Sequence, residues 1–217
     1  MNFLLKRIIS SLALIIIIYL SLQSFTILFI FLILLTYFSI YESIQIFKNI
    51  FKNSYFLKFL LICFSVFYIS FFSFSIWIYL NSNNILQTIS IILILIICAS
   101  TDIGGFVFGK LIGGKKLTKI SPNKTYSGAI GSFVLALIFG YLFLNFYNVT
   151  LSSEINIFIL IILISLISQI GDLFISLLKR KANIKDTGSI LPGHGGILDR
   201  IDGLLLALPI GMMLISY

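Results

Sequence analysis

The run GDLFISLLKRKANIKDTGSILPGHGGILDRID, residues 171–202, sets four of the chain's five aspartates and its single histidine into an otherwise apolar sequence. The fifth is Asp102, so no aspartate occurs in the first 101 residues. An ionisable group at bilayer depth costs about 2.5–3.5 kcal/mol even on the permissive insertion scale, which makes such groups candidates for function. Asp172, Ser176 and Lys179 are spaced i, i+4 and i+7 and share one face of a helix. Pro192-Gly193-His194-Gly195-Gly196 must turn sharply, because glycine reaches backbone conformations closed to other residues. Asp199 and Asp202 follow at i, i+3. Carboxylates from two segments, beside Lys and Arg, suit a divalent cation that neutralises phosphates, and an oxygen-only donor set favours magnesium. A merely solvated loop requires neither Asp172 inside an apolar run nor the PGHGG turn.

Two further polar clusters precede this one. Ser100-Thr101-Asp102-Ile103-Gly104-Gly105 continues through Gly109-Lys110 to Gly113-Gly114-Lys115-Lys116. It is a near miss to a phosphate-binding P-loop, but Lys116 stands where Ser or Thr should hold magnesium and no strand precedes it. Ser121-Pro122-Asn123-Lys124-Thr125-Tyr126-Ser127-Gly128 opens the next apolar run. It reads equally as an anion cradle of backbone N–H groups with Lys124, or as a Ser/Thr helix cap. His194 likewise reads equally as a turn residue and as a phosphate contact.

These clusters have to be held by a membrane scaffold. Of 217 residues, 59% are hydrophobic and 10% charged, with a mean hydropathy of +1.15. Soluble domains carry about 25% charged residues, so the chain reads as an all-α, polytopic integral membrane bundle. Apolar runs near 8–22, 25–41, 57–80, 85–101, 128–147, 155–178 and 203–217 suggest about seven spans. The first two form a tight hairpin, and 57–80 is either one span or a re-entrant pair. Lys6 and Arg7 ahead of an apolar stretch imitate a signal peptide, but no A-x-A-like site follows, so the first span is expected to stay uncleaved. All fifteen Gly and all three Pro lie after residue 103. Residues 1–84 therefore read as scaffold and 85–217 as the catalytic membrane region of a single membrane domain.

Charge orients the bundle. With the N-terminus in the cytoplasm, fourteen of the fifteen Lys and Arg fall in segments 1–7, 42–56, 102–127 and 179–202. Lys58 snorkels to the same side from the edge of its span. The opposite loops near 23–24, 81–84 and 148–154 hold none, as the positive-inside rule requires. The net charge of +8 is thus topogenic, and no nucleic-acid module accompanies it. One His and two intramembrane cysteines, Cys63 and Cys98, offer no zinc ligand set, and the cysteines read as inert packing residues. A Ser176–His194–Asp199 hydrolase lacks the G-x-S-x-G elbow. An ion transporter would continue its polar residues toward the outer side and show an inverted repeat.

The stretch from Ser176 through Lys179-Arg180, KANI, Lys185-Asp186 and TGSILPGHGGILDRID resembles the signature of the phosphatidate cytidylyltransferases, the CDP-diacylglycerol synthases. Asp102 with Gly105 through GKLIGGKKL, and then SPNKTYSGAIGS, are similar to the second and third motifs of that family. The resemblance implies cytidylyl transfer from CTP to phosphatidic acid, giving CDP-diacylglycerol and pyrophosphate. It implies magnesium at Asp172 and Asp199, with room for a second cation, and catalytic roles for Asp172, Asp199, Lys179 and His194. Ser176, Arg180, Lys185, Asp186, Arg200, Lys124, Ser121 and Asp102 become the candidate substrate contacts. It further implies membrane lipids and no nucleic acid as partners, compatibility with a homodimer, and a bacterial inner membrane with the site facing the cytoplasm. The chain departs from the family where D-S-G-A-Y is usual, reading Asp102-Ile103-Gly104-Gly105-Phe106, and where Tyr126 replaces a common Trp. Members usually carry extra N-terminal spans, and the absence of two would preserve parity. A CTP-dependent lipid kinase is the nearest rival, and the complete KR-x4-KD…PGHGG-x2-DR-x-D pattern argues against it.

Overall fold

A computed structural model describes residues 3–82, 84–118, 121, 124–148, 155–190, 193 and 195–215, without the side chains of 3–8 and 11. His194 and Tyr217 lie outside the described residues. The elements in chain order are α1 (Phe3–Gln23), α2 (Phe25–Ile50), α3 (Tyr55–Asn81), α4 (Ile85–Leu111), α5 (Tyr126–Tyr147), α6 (Ile157–Lys181), the short α7 (Leu198–Ile201) and α8 (Leu204–Ile215). A chain in lipid must satisfy its backbone hydrogen bonds internally, as helices or closed barrels do, and the long continuous apolar runs here form helices. Among the described residues, five helices, α2 to α6, are long and apolar enough to cross a membrane. The protein is an all-α, polytopic integral membrane protein. Large side chains such as Ile15, Tyr19, Phe56, Phe59 and Phe67 are left exposed on its helices, the surface expected of a protein whose solvent is lipid.

The helix ends differ from those read off the sequence. α2 runs to Ile50 and does not stop at 41, because Glu42, Ser43 and Lys48 continue the helix where their polarity suggests a loop. α4 runs through Gly104, Gly105 and Gly109 to Leu111 and does not end at 101. Residues 57–80 lie in one helix, α3. α8 has 12 residues, which at 1.5 Å per residue spans about 18 Å, short of the roughly 30 Å hydrocarbon core.

The chain divides into two compact units, Met1–Asn84 with Leu178–Ile201, and Ile85–Leu177 with Asp202–Tyr217. In the first, α2 packs on α1, α3 and α7. Ser24 alone separates α1 from α2. In the second, α4 packs closely on α5 through small residues: a Cβ at Gly104 would overlap the backbone of Gly131 and Ser132, and one at Gly128 would lie 2.8 Å from the Gly105 carbonyl oxygen. Small residues let helix backbones approach where lipid gives no hydrophobic drive to associate. Ser132 Oγ donates to the Thr101 carbonyl at 2.7 Å, and Thr101 Oγ1 lies 2.7 Å from Ser165 Oγ, so α4, α5 and α6 share a buried polar seam.

Candidate active site

In the second unit the acidic group is Asp172 on α6. It lies about two and a half turns before Lys181. A Cβ on the preceding Gly171 would lie 2.6 Å from the Asp202 carbonyl oxygen, so glycine is needed for α6 to reach the turn at 202–203. Lys124 forms an ion pair with Asp172 Oδ2, and Ser176 Oγ donates to Oδ1 at 3.3 Å. The helical spacing of Asp172 and Ser176 thus becomes a contact. Lys124 is held by a small hairpin between α4 and α5: Leu117 N–H donates to the Lys124 carbonyl at 2.8 Å, and Tyr126 N–H to that of Lys115 at 3.1 Å. Gly113 and Gly114, with φ of 64° and 104°, turn the chain from the end of α4 into this pairing. Thr125 caps α5 by accepting from Gly128 N–H at 3.1 Å, so the helix-cap reading of this cluster holds. The Ser121 carbonyl accepts from Lys124 N–H at 3.0 Å. Asp102 is exposed on α4.

In the first unit the acidic group is Asp199, at the start of α7. Lys179 Nζ donates to its Oδ1 at 2.7 Å. Its Oδ2 accepts from Thr187 N–H at 2.8 Å and Gly196 N–H at 3.0 Å, with Thr187 Oγ1 at 3.1 Å. Burial alone would raise the Asp199 carboxyl. The hydrogen bond and charge of Lys179, with the two backbone N–H groups, outweigh it and hold the carboxyl below the ordinary range. Gly193 and Gly195 take φ of 77° and 83°, the left-handed turn that the glycine spacing suggests. Arg180, Lys185, Asp186 and Arg200 are exposed around this segment.

Sequence reasoning missed two participants. Glu42 is buried on α2 and accepts from Thr187 Oγ1 at 2.6 Å, Leu198 N–H at 2.9 Å and Ile197 N–H at 2.9 Å. Thr187 bonds both Glu42 and Asp199. The available signal was that Glu42 is the only acidic residue among the first 101.

Among the described residues, no three or more His, Cys, Asp or Glu side chains gather into a metal cage. Magnesium does not need one, since it takes one or two carboxylates and completes its shell with water and substrate phosphates. Asp172 fits that role: it is 28% exposed, and its Oδ1 meets Ser176 at 3.3 Å. Asp199 has its Oδ2 filled by donors and can offer only Oδ1, in competition with Lys179. At both positions a lysine ammonium already neutralises the carboxylate, the kind of charge a bound cation would bring.

Residues 8–217 match the model of the cytidylyltransferase family. The chain belongs to that family. Three relatives are named phosphatidate cytidylyltransferase. That of Rickettsia bellii is 45% identical over 142 residues, covering 63% of this chain and 61% of the relative. That of Haemophilus influenzae is 40% identical over 120 residues, covering 54% and 42%. That of Helicobacter pylori is 44% identical over 117 residues, covering 54% and 43%. The chain therefore spans about two fifths to three fifths of the length of these curated relatives. This cytidylyltransferase family member carries both Asp172 and Asp199 within residues 171–202.

Proposed function

We propose that this protein transfers the cytidylyl group of CTP to phosphatidic acid, giving CDP-diacylglycerol and pyrophosphate. The observation that carries the reading is the family match over 8–217, supported by relatives that bear the name phosphatidate cytidylyltransferase. The phosphate of phosphatidic acid is already a nucleophile at neutral pH, so no activated Ser or Cys is required. One of its oxygens bonds to the α-phosphorus of CTP, the bond to the β-phosphate oxygen breaks, and pyrophosphate leaves with the electron pair. The barrier lies in bringing two anions together and in charge on the leaving group, which positioned cations lower.

Lys124 and Lys179 hold positive charge beside Asp172 and Asp199. The exposed Arg180, Lys185 and Arg200 serve as phosphate contacts. Ser176, Ser121, Asp102 and Asp186 are the further substrate contacts, and His194 is a catalytic candidate. Magnesium, with Asp172 and Asp199 as carboxylate donors, would supply charge neutralisation on the phosphates. The basic face is proposed to lie in the cytoplasm of a bacterial inner membrane, where CTP is available.

Incubating the purified protein with CTP, magnesium and phosphatidic acid, with lipids read by mass spectrometry, tests this. CDP-diacylglycerol that disappears when a chelator is added is the expected result. A phosphorylated lipid without cytidine would indicate a kinase, and unchanged lipid would remove the proposal.

A further inference from the structure

We propose that Glu42 is a positioning residue of the active site: its carboxyl group, carried by α2, is the frame that places Thr187, Ile197 and Leu198 around Asp199. The inference rests on the function proposed above. It concerns the first unit only, and it gives a helix that reads as scaffold a part in the chemistry.

Glu42 is 1% exposed. Its Oε2 takes Thr187 Oγ1 at 2.6 Å and Leu198 N–H at 2.9 Å, and its Oε1 takes Ile197 N–H at 2.9 Å. All three partners are neutral donors, and Glu42 forms no ion pair among the described residues. A carboxyl group so buried is costly, and a side chain serving only to fill space would be apolar. Its three partners all belong to the segment that also holds Asp199.

The glycines show that the segment is shaped around this group. A Cβ at Gly188 would lie 2.6 Å from Glu42 Oε1, and one at Gly196 would overlap Thr187 Oγ1 and both Glu42 oxygens. Gly196 N–H itself donates to Asp199 Oδ2 at 3.0 Å. Two glycines of the signature are thus explained by the volume of a carboxyl group 145 or more residues earlier in the chain.

Thr187 is the link. Its N–H donates to Asp199 Oδ2 at 2.8 Å, while its hydroxyl lies 2.6 Å from Glu42 and 3.1 Å from Asp199. The hydroxyl has one proton, so the shorter bond to Glu42 takes the larger share and fixes the rotamer. Asp199 then relies on two backbone N–H groups whose places are set by Glu42, which leaves Oδ1 directed to Lys179.

The test uses the full chain in detergent with phosphatidic acid, CTP and magnesium, comparing Glu42→Gln, Glu42→Asp and Glu42→Ala. Glutamine keeps the length and one accepting oxygen, whereas aspartate is one carbon too short. We expect kcat per folded molecule to fall about tenfold or more in Glu42→Ala and Glu42→Asp and less in Glu42→Gln. Adding Thr187→Val to Glu42→Gln should cost little more than the larger single loss, since both remove one link. A purely structural role would lower the folded fraction and leave kcat and KM of the remaining molecules unchanged. Wild-type kcat per folded molecule in Glu42→Gln and Glu42→Asp would overturn the inference. If the wild-type protein makes no CDP-lipid, the proposed function fails, and the geometry is then read by trypsin. Cleavage after the exposed Lys185 should accelerate at least fivefold in Glu42→Gln relative to cleavage after Lys52, and an unchanged ratio would overturn the positioning role.

Discussion

Lys179 Nζ lies 2.7 Å from Asp199 Oδ1, and both side chains are largely withdrawn from water, at 15% and 6% exposure. Lys179, a catalytic candidate in the sequence, is therefore also the counter-charge of a nearly buried carboxylate. Lys124 and Asp172 form a more open pair, at 26% and 28% exposure. The two pairs should respond differently to the same substitution.

Removing Lys179 leaves Asp199 without its charged donor, and a hydrogen bond to a charged group contributes about 1.5–3 kcal/mol. Lys124→Ala breaks a solvent-screened pair worth about 0.2–1 kcal/mol. Thermal unfolding in detergent should show a clear loss of stability for Lys179→Ala and a small one for Lys124→Ala. Equal shifts would mean that the Lys179 pair is no better sequestered than the other.

Asp172→Asn is expected to cut turnover about 10²-fold or more, on the scale of losing one preorganised electrostatic group, with little change in unfolding temperature. Its partners, Lys124 and Ser176, are both partly accessible, so little buried structure depends on them. Asp199→Asn should also lose turnover, but with a measurable drop in stability, because one amide end must face donors. Near-normal activity of either purified variant would remove that residue from the catalytic set.

Two glycine substitutions separate crowding from backbone strain. Gly196→Ala places a methyl against Thr187 and Glu42 and should disrupt the 187–199 segment, costing about 1–3 kcal/mol and most of the activity. Gly113→Ala meets nothing within 4 Å, but its φ of 64° costs an L-residue about 1–2 kcal/mol. Unfolding curves with kcat per folded molecule should show both variants destabilised and only Gly196→Ala impaired in turnover.

The membrane character, the helical spacing of Asp172 and Ser176, and the glycine turn before Asp199 were legible because periodicity and residue type report them directly. Helix ends were less so. Glu42 and Lys48 look like loop residues in a hydropathy profile, yet α2 continues through both because Glu42 meets donors from residues 187–198. Gly104 and Gly105 look like a flexible cluster, yet they let α4 lie against α5. In both cases the deciding partner is remote in sequence, which no local pattern records.

Sidedness can be read with single cysteines after Cys63→Ala and Cys98→Ala clear the background. Ser82, after α3, and Ser189, in the segment before α7, are both exposed. Ser82→Cys should react with an impermeant thiol reagent added to intact cells, and Ser189→Cys only after the membrane is opened. Labelling of Ser189→Cys from outside would contradict access of cytoplasmic CTP to this segment.

The most direct measurement follows the phosphorus atoms of CTP. Purified protein, phosphatidic acid and magnesium are incubated with CTP labelled at the α-phosphorus, and in parallel with CTP labelled at the γ-phosphorus. Cytidylyl transfer puts the α-label into the organic-soluble lipid and releases the γ-label as pyrophosphate, and Asp172→Asn should lose the lipid label. Lipid labelled from the γ-position, or from neither, would contradict cytidylyl transfer as the chemistry of this protein.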